Sequence, residues 1–270
     1  MDLDSLTPQS QIVLNRFRQR LPQRLEVDAI LGLLPHRKLE GKVLLDIGMP
    51  NPVMSGLLRE CGGTWVTLAR SPQNASEASE FLNDEVSCLG AGGEIPFEQH
   101  TFDFIVVALG MLTAMRDPDY FIKECNRVLK PSGALIISVQ YRKRMSLINF
   151  FRKKAAEGHS SLLTRAYTGR GLFGFLKNGF DVIEEEYFSR FFVELVRIRD
   201  FKLFLTGHDE MQICKQLGWK YKLADQLDFF NFWNKGYVIT VHARRRQWRE
   251  RTLPVLADGR KIQEAVLTLD

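Results

Sequence analysis

Long apolar runs are missing from this 270-residue sequence. No stretch of about 18 apolar residues occurs, so no membrane-crossing helix is expected. Cysteine is scarce. Cys61, Cys88, Cys125 and Cys214 lie far apart, with no CxxC and no Cys/His pair at metal-ligand spacing. That excludes a disulfide scaffold and a zinc ribbon, and free thiols in a reducing compartment follow. Histidine is scattered too: His36, His100, His159, His208 and His242 build neither a Ser-His-Asp set nor a metal site by spacing. The opening MDLDSLTPQSQ lacks a basic segment and an apolar core, so it does not read as a signal peptide. A cytoplasmic protein is expected, with peripheral membrane contact as an extension of that reading. Internal repeats and low-complexity tracts are also absent.

What is present suits a globular chain. Hydrophobic residues make up 45% and charged residues 26%, enough to bury a core without staples. The net charge of +5 favours anionic partners but is too small to imply nucleic acid by itself.

Periodicity organises the chain. Residues 8–34 read as two amphipathic helices interrupted near Pro22, with Pro35 as a stop. Then short apolar runs alternate with helical stretches. Strands are expected at 42–46, 65–69, 85–89, 102–108 and 134–139, and helices at 52–61, 72–83 and 117–130. Asn51-Pro52 and Ser71-Pro72 each pair an N-capping side chain with a proline at the first helical position. Pro131-Ser-Gly133 marks a turn. A helix over 170–178, a strand over 181–187 and a last strand over 237–243 follow. Such alternation predicts an α/β fold, a doubly wound and mostly parallel sheet with right-handed connections. The expected divisions are N-terminal helices at 1–40, an α/β core at 41–188 and 236–244, a helical lid insertion at 189–235 and a tail at 245–270.

Three motifs carry a family resemblance. They are Val43-Leu-Leu-Asp46-Ile-Gly48, then Glu94-Ile-Pro-Phe97 with Thr101-Phe-Asp103-Phe-Ile-Val-Val, and the run from Phe121 through Arg127-Val-Leu-Lys-Pro131-Ser-Gly133 to Val139. On these the chain resembles class I S-adenosylmethionine (SAM) methyltransferases, in particular the group acting on small molecules and lipids. The resemblance implies a seven-stranded Rossmann-like sheet with an antiparallel final strand. It also implies SAM as cofactor, bound at the carboxyl ends of the first strands.

By position in the family pattern, the cofactor-binding candidates are Asp46, Gly48, Met49, Arg70, Ala91 and Leu109. The family's Asp-x-Gly-x-Gly-x-Gly loop reads here Asp46-Ile-Gly48-Met-Pro50-Asn-Pro52. The glycines of that loop allow positive φ and close approach of the cofactor, whereas proline fixes φ near −65° and removes a donor. The acidic residue that accepts from the ribose hydroxyls is replaced by Ala69 or Arg70. The one near the adenine amine is replaced by Ala91. An arginine at the ribose position also suits a phosphate, or Arg70 is simply solvated at a strand end. The SAM pocket therefore reads as degenerate. The favoured expectation is a non-catalytic or altered-ligand binding or assembly protein, with no cofactor if the pocket is closed. The alternative is an active methyltransferase for a small, lipid-like or glycan-linked acceptor. No catalytic residue is assigned.

Three further features bear on partners. Tyr141 to Lys154 has an apolar centre flanked by cations, as in segments that lie on anionic membranes, or as in an ordinary helix with a solvated basic face. The insertion is rich in aromatics, including Phe191, Phe192, Phe201, Phe204, Trp219, Phe229, Phe230, Phe232 and Trp233. They suit a lid over an apolar ligand, a docking surface for a protein partner, or plain core packing. Ala243 to Arg251 is a basic run with one tryptophan and reads as a charged surface tail rather than a nucleic-acid site.

Overall fold

The computed structural model describes residues 8–35, 39–144, 146–156, 166–208, 210–231 and 233–248. His36, His159, Phe232 and the tail from 249 lie outside the described residues. Two helices come first, α1 (Pro8–Gln19) and α2 (Leu21–Leu33). The break falls at Arg20, near Pro22 as expected. Pro22 sits in the first turn of α2, where its missing N–H breaks no helical hydrogen bond.

The alternating part follows: β1 (Val43–Ile47), α3 (Pro52–Arg59), β2 (Thr64–Ala69), α4 (Pro72–Leu82), β3 (Ser87–Cys88), β4 (Phe102–Val107), α5 (Met111–Ala114), α6 (Pro118–Val128) and β5 (Leu129–Gln140). Asn51 and Ser71 cap α3 and α4 as expected, each accepting from an amide in the first turn. The expected third strand shrinks to Ser87–Cys88 at the sheet edge. The expected turn at Pro131–Gly133 is present, but as a bulge inside β5: Phe102 pairs with Leu129 and Phe104 with Ala134.

Beyond β5 come α7 (Leu147–Ala156), α8 (Gly169–Leu176), β6 (Phe180–Phe188), α9 (Phe191–Leu205), α10 (Glu210–Phe229) and β7 (Val238–Arg245). β7 outruns its expected end. Arg245 donates to the Asn126 carbonyl and Arg246 pairs with Asp181, so the start of the basic run is docked on the protein.

The sheet order is β3-β2-β1-β4-β5-β7-β6. β7 runs antiparallel to both neighbours and the remaining pairings are parallel. The chain reverses its winding between β1 and β4, which opens a crevice at their carboxyl ends. β1, β4 and β5 are sealed on both faces: Leu44, Leu45, Ile105, Val106, Leu135 and Ile136 are all 0% exposed. The α9–α10 pair packs around its own apolar cluster, Leu21, Val193, Ile213, Leu217, Tyr221 and Ala224, which ties the insertion to α2. Ile148, Ile198 and Tyr237 join α7 to α9. Among the described residues no helix is long and apolar enough to cross a membrane.

Candidate functional site

The six candidate residues share the carboxyl edge of β3-β2-β1-β4. Asp46 lies in β1 with Gly48 and Met49 just after it, Arg70 follows β2, Ala91 lies beyond β3, and Leu109 follows β4. Their side chains meet different fates. Asp46 is 0% exposed, and its carboxylate accepts from Ser55 Oγ and Thr67 Oγ1, both at 2.8 Å, with Arg59 at 3.5 Å. Burial raises its carboxyl above the usual range, against the opposing effect of these partners. Arg70 and Ala91 are exposed.

The loop after β1 solves its turn in one place. Gly48 takes φ +70°, the left-handed region, and its amide donates to the Leu68 carbonyl. Pro50 is exposed, while Pro52 is buried at the start of α3. The first amides of α3 are closed locally: Asn51 Oδ1 accepts from the Val53 N–H, and the Asn51 carbonyl from the Met54 N–H. The face of Gly48 that a side chain would occupy is filled, because a Cβ there would stand 2.1 Å from Met111 Sδ. Gly48→Ala therefore adds backbone strain to a clash. The variant should lose about 2–4 kcal/mol in a urea titration, with Met111→Ala restoring part of the loss in the double mutant.

Leu109 reveals a residue that sequence reasoning passed over. Its N–H donates to Glu26 Oε1 at 2.5 Å, so the amide beside the crevice is bonded to α2. Glu26 is 3% exposed and shares a face with Ala29, Ile30 and Leu33, all buried. Burial pushes its carboxyl up to about 7, against the Leu109 N–H, the field of Arg197 and Ser138. The signal was available: an acid at the 26/29/30/33 helical spacing stands on the apolar stripe.

A second polar group lies under the insertion. Glu194 is 0% exposed and accepts from Arg152, Arg197 and Ser189. Burial alone would raise its carboxyl, but the two arginines outweigh it and hold it at about 2. Nearby Asp200 accepts from Tyr221 Oη at 2.9 Å.

Between α2, the end of β6, α9 and α10 lies a cavity of about 700 Å³. Leu25, Tyr187, Phe188, Val193, Phe229 and Phe230 supply its apolar wall, and Ser189, Arg190, Asp225, Gln226 and Asp228 its polar spots. Its polar corner is built by capping. Asp228 receives the N–H groups of Phe192 and Val193 at the start of α9, and Arg190 donates to the Asp228 carbonyl. A mostly apolar wall with a few fixed polar groups suits an apolar small molecule. The six motif residues do not line it.

This sheet order, with its reversal point and antiparallel seventh strand, is the class I SAM-dependent methyltransferase fold. Residues 45–137 match the family model described as "Methyltransferase domain". A demethylmenaquinone methyltransferase from Bacillus cytotoxicus is 43% identical over 49 residues, 17% of this chain and 19% of the relative. One from Staphylococcus haemolyticus is 34% identical over 62 residues, 22% of this chain and 25% of the relative. The match thus spans about a quarter or less of these relatives' length. Among solved structures, a Haloferax volcanii chain from a complex with the Trm112 methyltransferase activator aligns with a TM-score of 0.56 and 16% identity, covering 90% of this chain and 100% of that one. The [4+2]-cyclase SpnF aligns with a TM-score of 0.56 and 18% identity over 83% of this chain and 80% of its own. Both likenesses are of fold.

Proposed function

We propose that this chain is a methyltransferase-fold binding protein. It holds an apolar, lipid-like small molecule in the cavity under α9 and α10, and its cofactor half does not grip SAM in the family's manner. The observation that carries this reading is the inward commitment of the groups that border the crevice. Asp46 is saturated by Ser55, Thr67 and Arg59, Met111 sits on Gly48, and the Leu109 amide is bonded to Glu26. At the ribose and adenine positions, Ala69 offers no side-chain acceptor, Arg70 only donors, and Ala91 neither. Each lost partner of a bound ligand weakens it by ~1–3 kcal/mol, and each 1.4 kcal/mol is about tenfold in affinity. Several such losses move SAM binding from micromolar toward millimolar. Fold membership alone does not argue otherwise, since function lives in sites grafted on folds.

Calorimetry with SAM and S-adenosylhomocysteine tests this directly. The expected result is no saturable heat below millimolar ligand. Saturable binding at micromolar concentration would sink the proposal. It would support the second reading, SAM-dependent methyl transfer to a small, lipid-like or glycan-linked acceptor. That reading is favoured by the retained positive φ of Gly48 and by the similarity to demethylmenaquinone methyltransferases.

A further inference from the structure

Two groups of exposed apolar side chains lie close in the fold. On α7, Leu147 is 66% exposed, Phe150 62% and Phe151 39%, while Ile148 and Arg152 are buried against α9 and Tyr237. Positions 147, 150, 151 and 154 follow helical spacing, so α7 turns an apolar stripe ending in Lys154 outward. An ordinary surface helix does the reverse. A second group lies at the end of α10 and just after it: Phe229 is 74% exposed, Phe230 71% and Trp233 74%.

The two groups adjoin. Lys143, just ahead of α7, donates to Asn234 Oδ1 and to the Lys235 carbonyl. Its ammonium also stands 4.0 Å from the centre of the Tyr237 ring, and Ser146 Oγ lies 2.7 Å from Tyr237 Oη. The chain therefore clasps the first turn of α7 to the segment that carries Trp233. Positive charge dominates around this patch, although exposed Asp225 stands one turn before Phe229. Arg142, Arg144, Lys153, Lys154 and Lys235 are exposed, and neither 141–155 nor 229–236 contains an acidic residue.

We infer that this face, built from the outward stripe of α7 and the aromatic end of α10, seats the protein on an anionic lipid bilayer. Aromatic and aliphatic side chains enter the headgroup boundary while flanking lysines and arginines meet the lipid phosphates. Charge complementarity selects this occupant: an apolar patch whose exposed flanking charges are mostly cations matches an anionic interface. Phe229 and Phe230 also line the cavity, so its rim belongs to the same face and an apolar ligand enters from the lipid side. The inference goes beyond the binding role proposed above and does not depend on whether SAM binds.

Flotation of the full chain with vesicles tests it, using phosphatidylcholine alone or with about one third phosphatidylglycerol. The wild type should rise with the anionic vesicles at low salt and remain below with neutral ones. Lys153→Glu with Lys154→Glu should weaken partitioning about thirtyfold or more, at the ~1 kcal/mol each cation near an anionic surface contributes. Phe150→Ser with Trp233→Ser should weaken it about tenfold or more, with the salt dependence retained. All four positions are exposed, and unchanged circular dichroism confirms that folding is preserved. Wild type that stays below with anionic vesicles at low salt overturns the inference, as does equal flotation of both variant pairs and wild type. Equal binding to neutral vesicles overturns the anionic assignment. Self-association without lipid, abolished by the same substitutions, overturns it in favour of a second copy of this chain. These outcomes leave the calorimetry untouched, so the two readings fail separately.

Discussion

Glu194→Gln will cost the fold about 3–5 kcal/mol, the usual loss when one partner of a buried ion group is neutralised. Two arginines and a serine hydroxyl converge on this carboxylate. Arg152 Nη2 lies at 2.7 Å, Arg197 Nη2 at 2.6 Å and Ser189 Oγ at 2.9 Å. Arg152 is 3% exposed at its side chain, so water cannot take over the lost charge. An amide leaves two guanidinium groups facing each other and adds N–H donors where acceptors are required. The group also joins α7, α9 and the residue after β6, so the damage should loosen the insertion first. The melting temperature should fall by roughly 10 °C, and the urea midpoint should drop without a rise in slope. The pH dependence has a fixed sign. Glu194 is held at about 2, below its ordinary 4.5, so its contribution is complete above about 4.5 and drains away as pH falls toward 2. The variant should therefore approach the wild type in acid. An unchanged midpoint at pH 7 would show that the ion group is not structural.

Glu26→Gln should act in the opposite direction. The folded protein holds this carboxyl at about 7, against an ordinary 4.5, so between those values the folded state keeps a proton that the unfolded state has released. Stability then falls as pH rises from about 4.5 to 7, and above that range the burial costs up to about 3 kcal/mol. Glutamine keeps an acceptor for the Leu109 N–H and removes the ionisation. Urea titrations at pH 8 should show the variant more stable by as much as ~3 kcal/mol, and titrations at pH 4 should show little difference. Equal destabilisation at both values would mean that the carboxyl geometry, not its charge, matters. An acid kept at such a position against its own stability is also where a functional role would be sought, because it reaches the amide beside the crevice.

Much of the scaffold was legible because its signals are local. The Asn51-Pro52 and Ser71-Pro72 pairs start helices through a side chain and a ring within two residues of each other. The apolar runs at Leu44–Leu45 and Ile105–Val107 announce buried parallel strands by composition alone. The third strand is shorter than its apolar run suggests, since pairing at a sheet edge blurs such boundaries. The Ala243–Arg251 run reads from sequence as a charged surface tail, and its described part ends at Trp248. That part is docked because β7 carries Arg245 past the sheet end to Asn126, and Trp248 packs beside Gly179.

The sequence by itself determined an alternating α/β chain, its strand and helix starts, and the replacement of glycine and acidic residues around one crevice. Tertiary structure alone decided what those groups touch. Glu26 meets Leu109 across 83 positions and Arg152 meets Glu194 across 42. The physical reason is reach. Propensity, capping and hydrophobic period act over a few residues, whereas the fate of a buried charge depends on which distant donor the crossovers bring beside it.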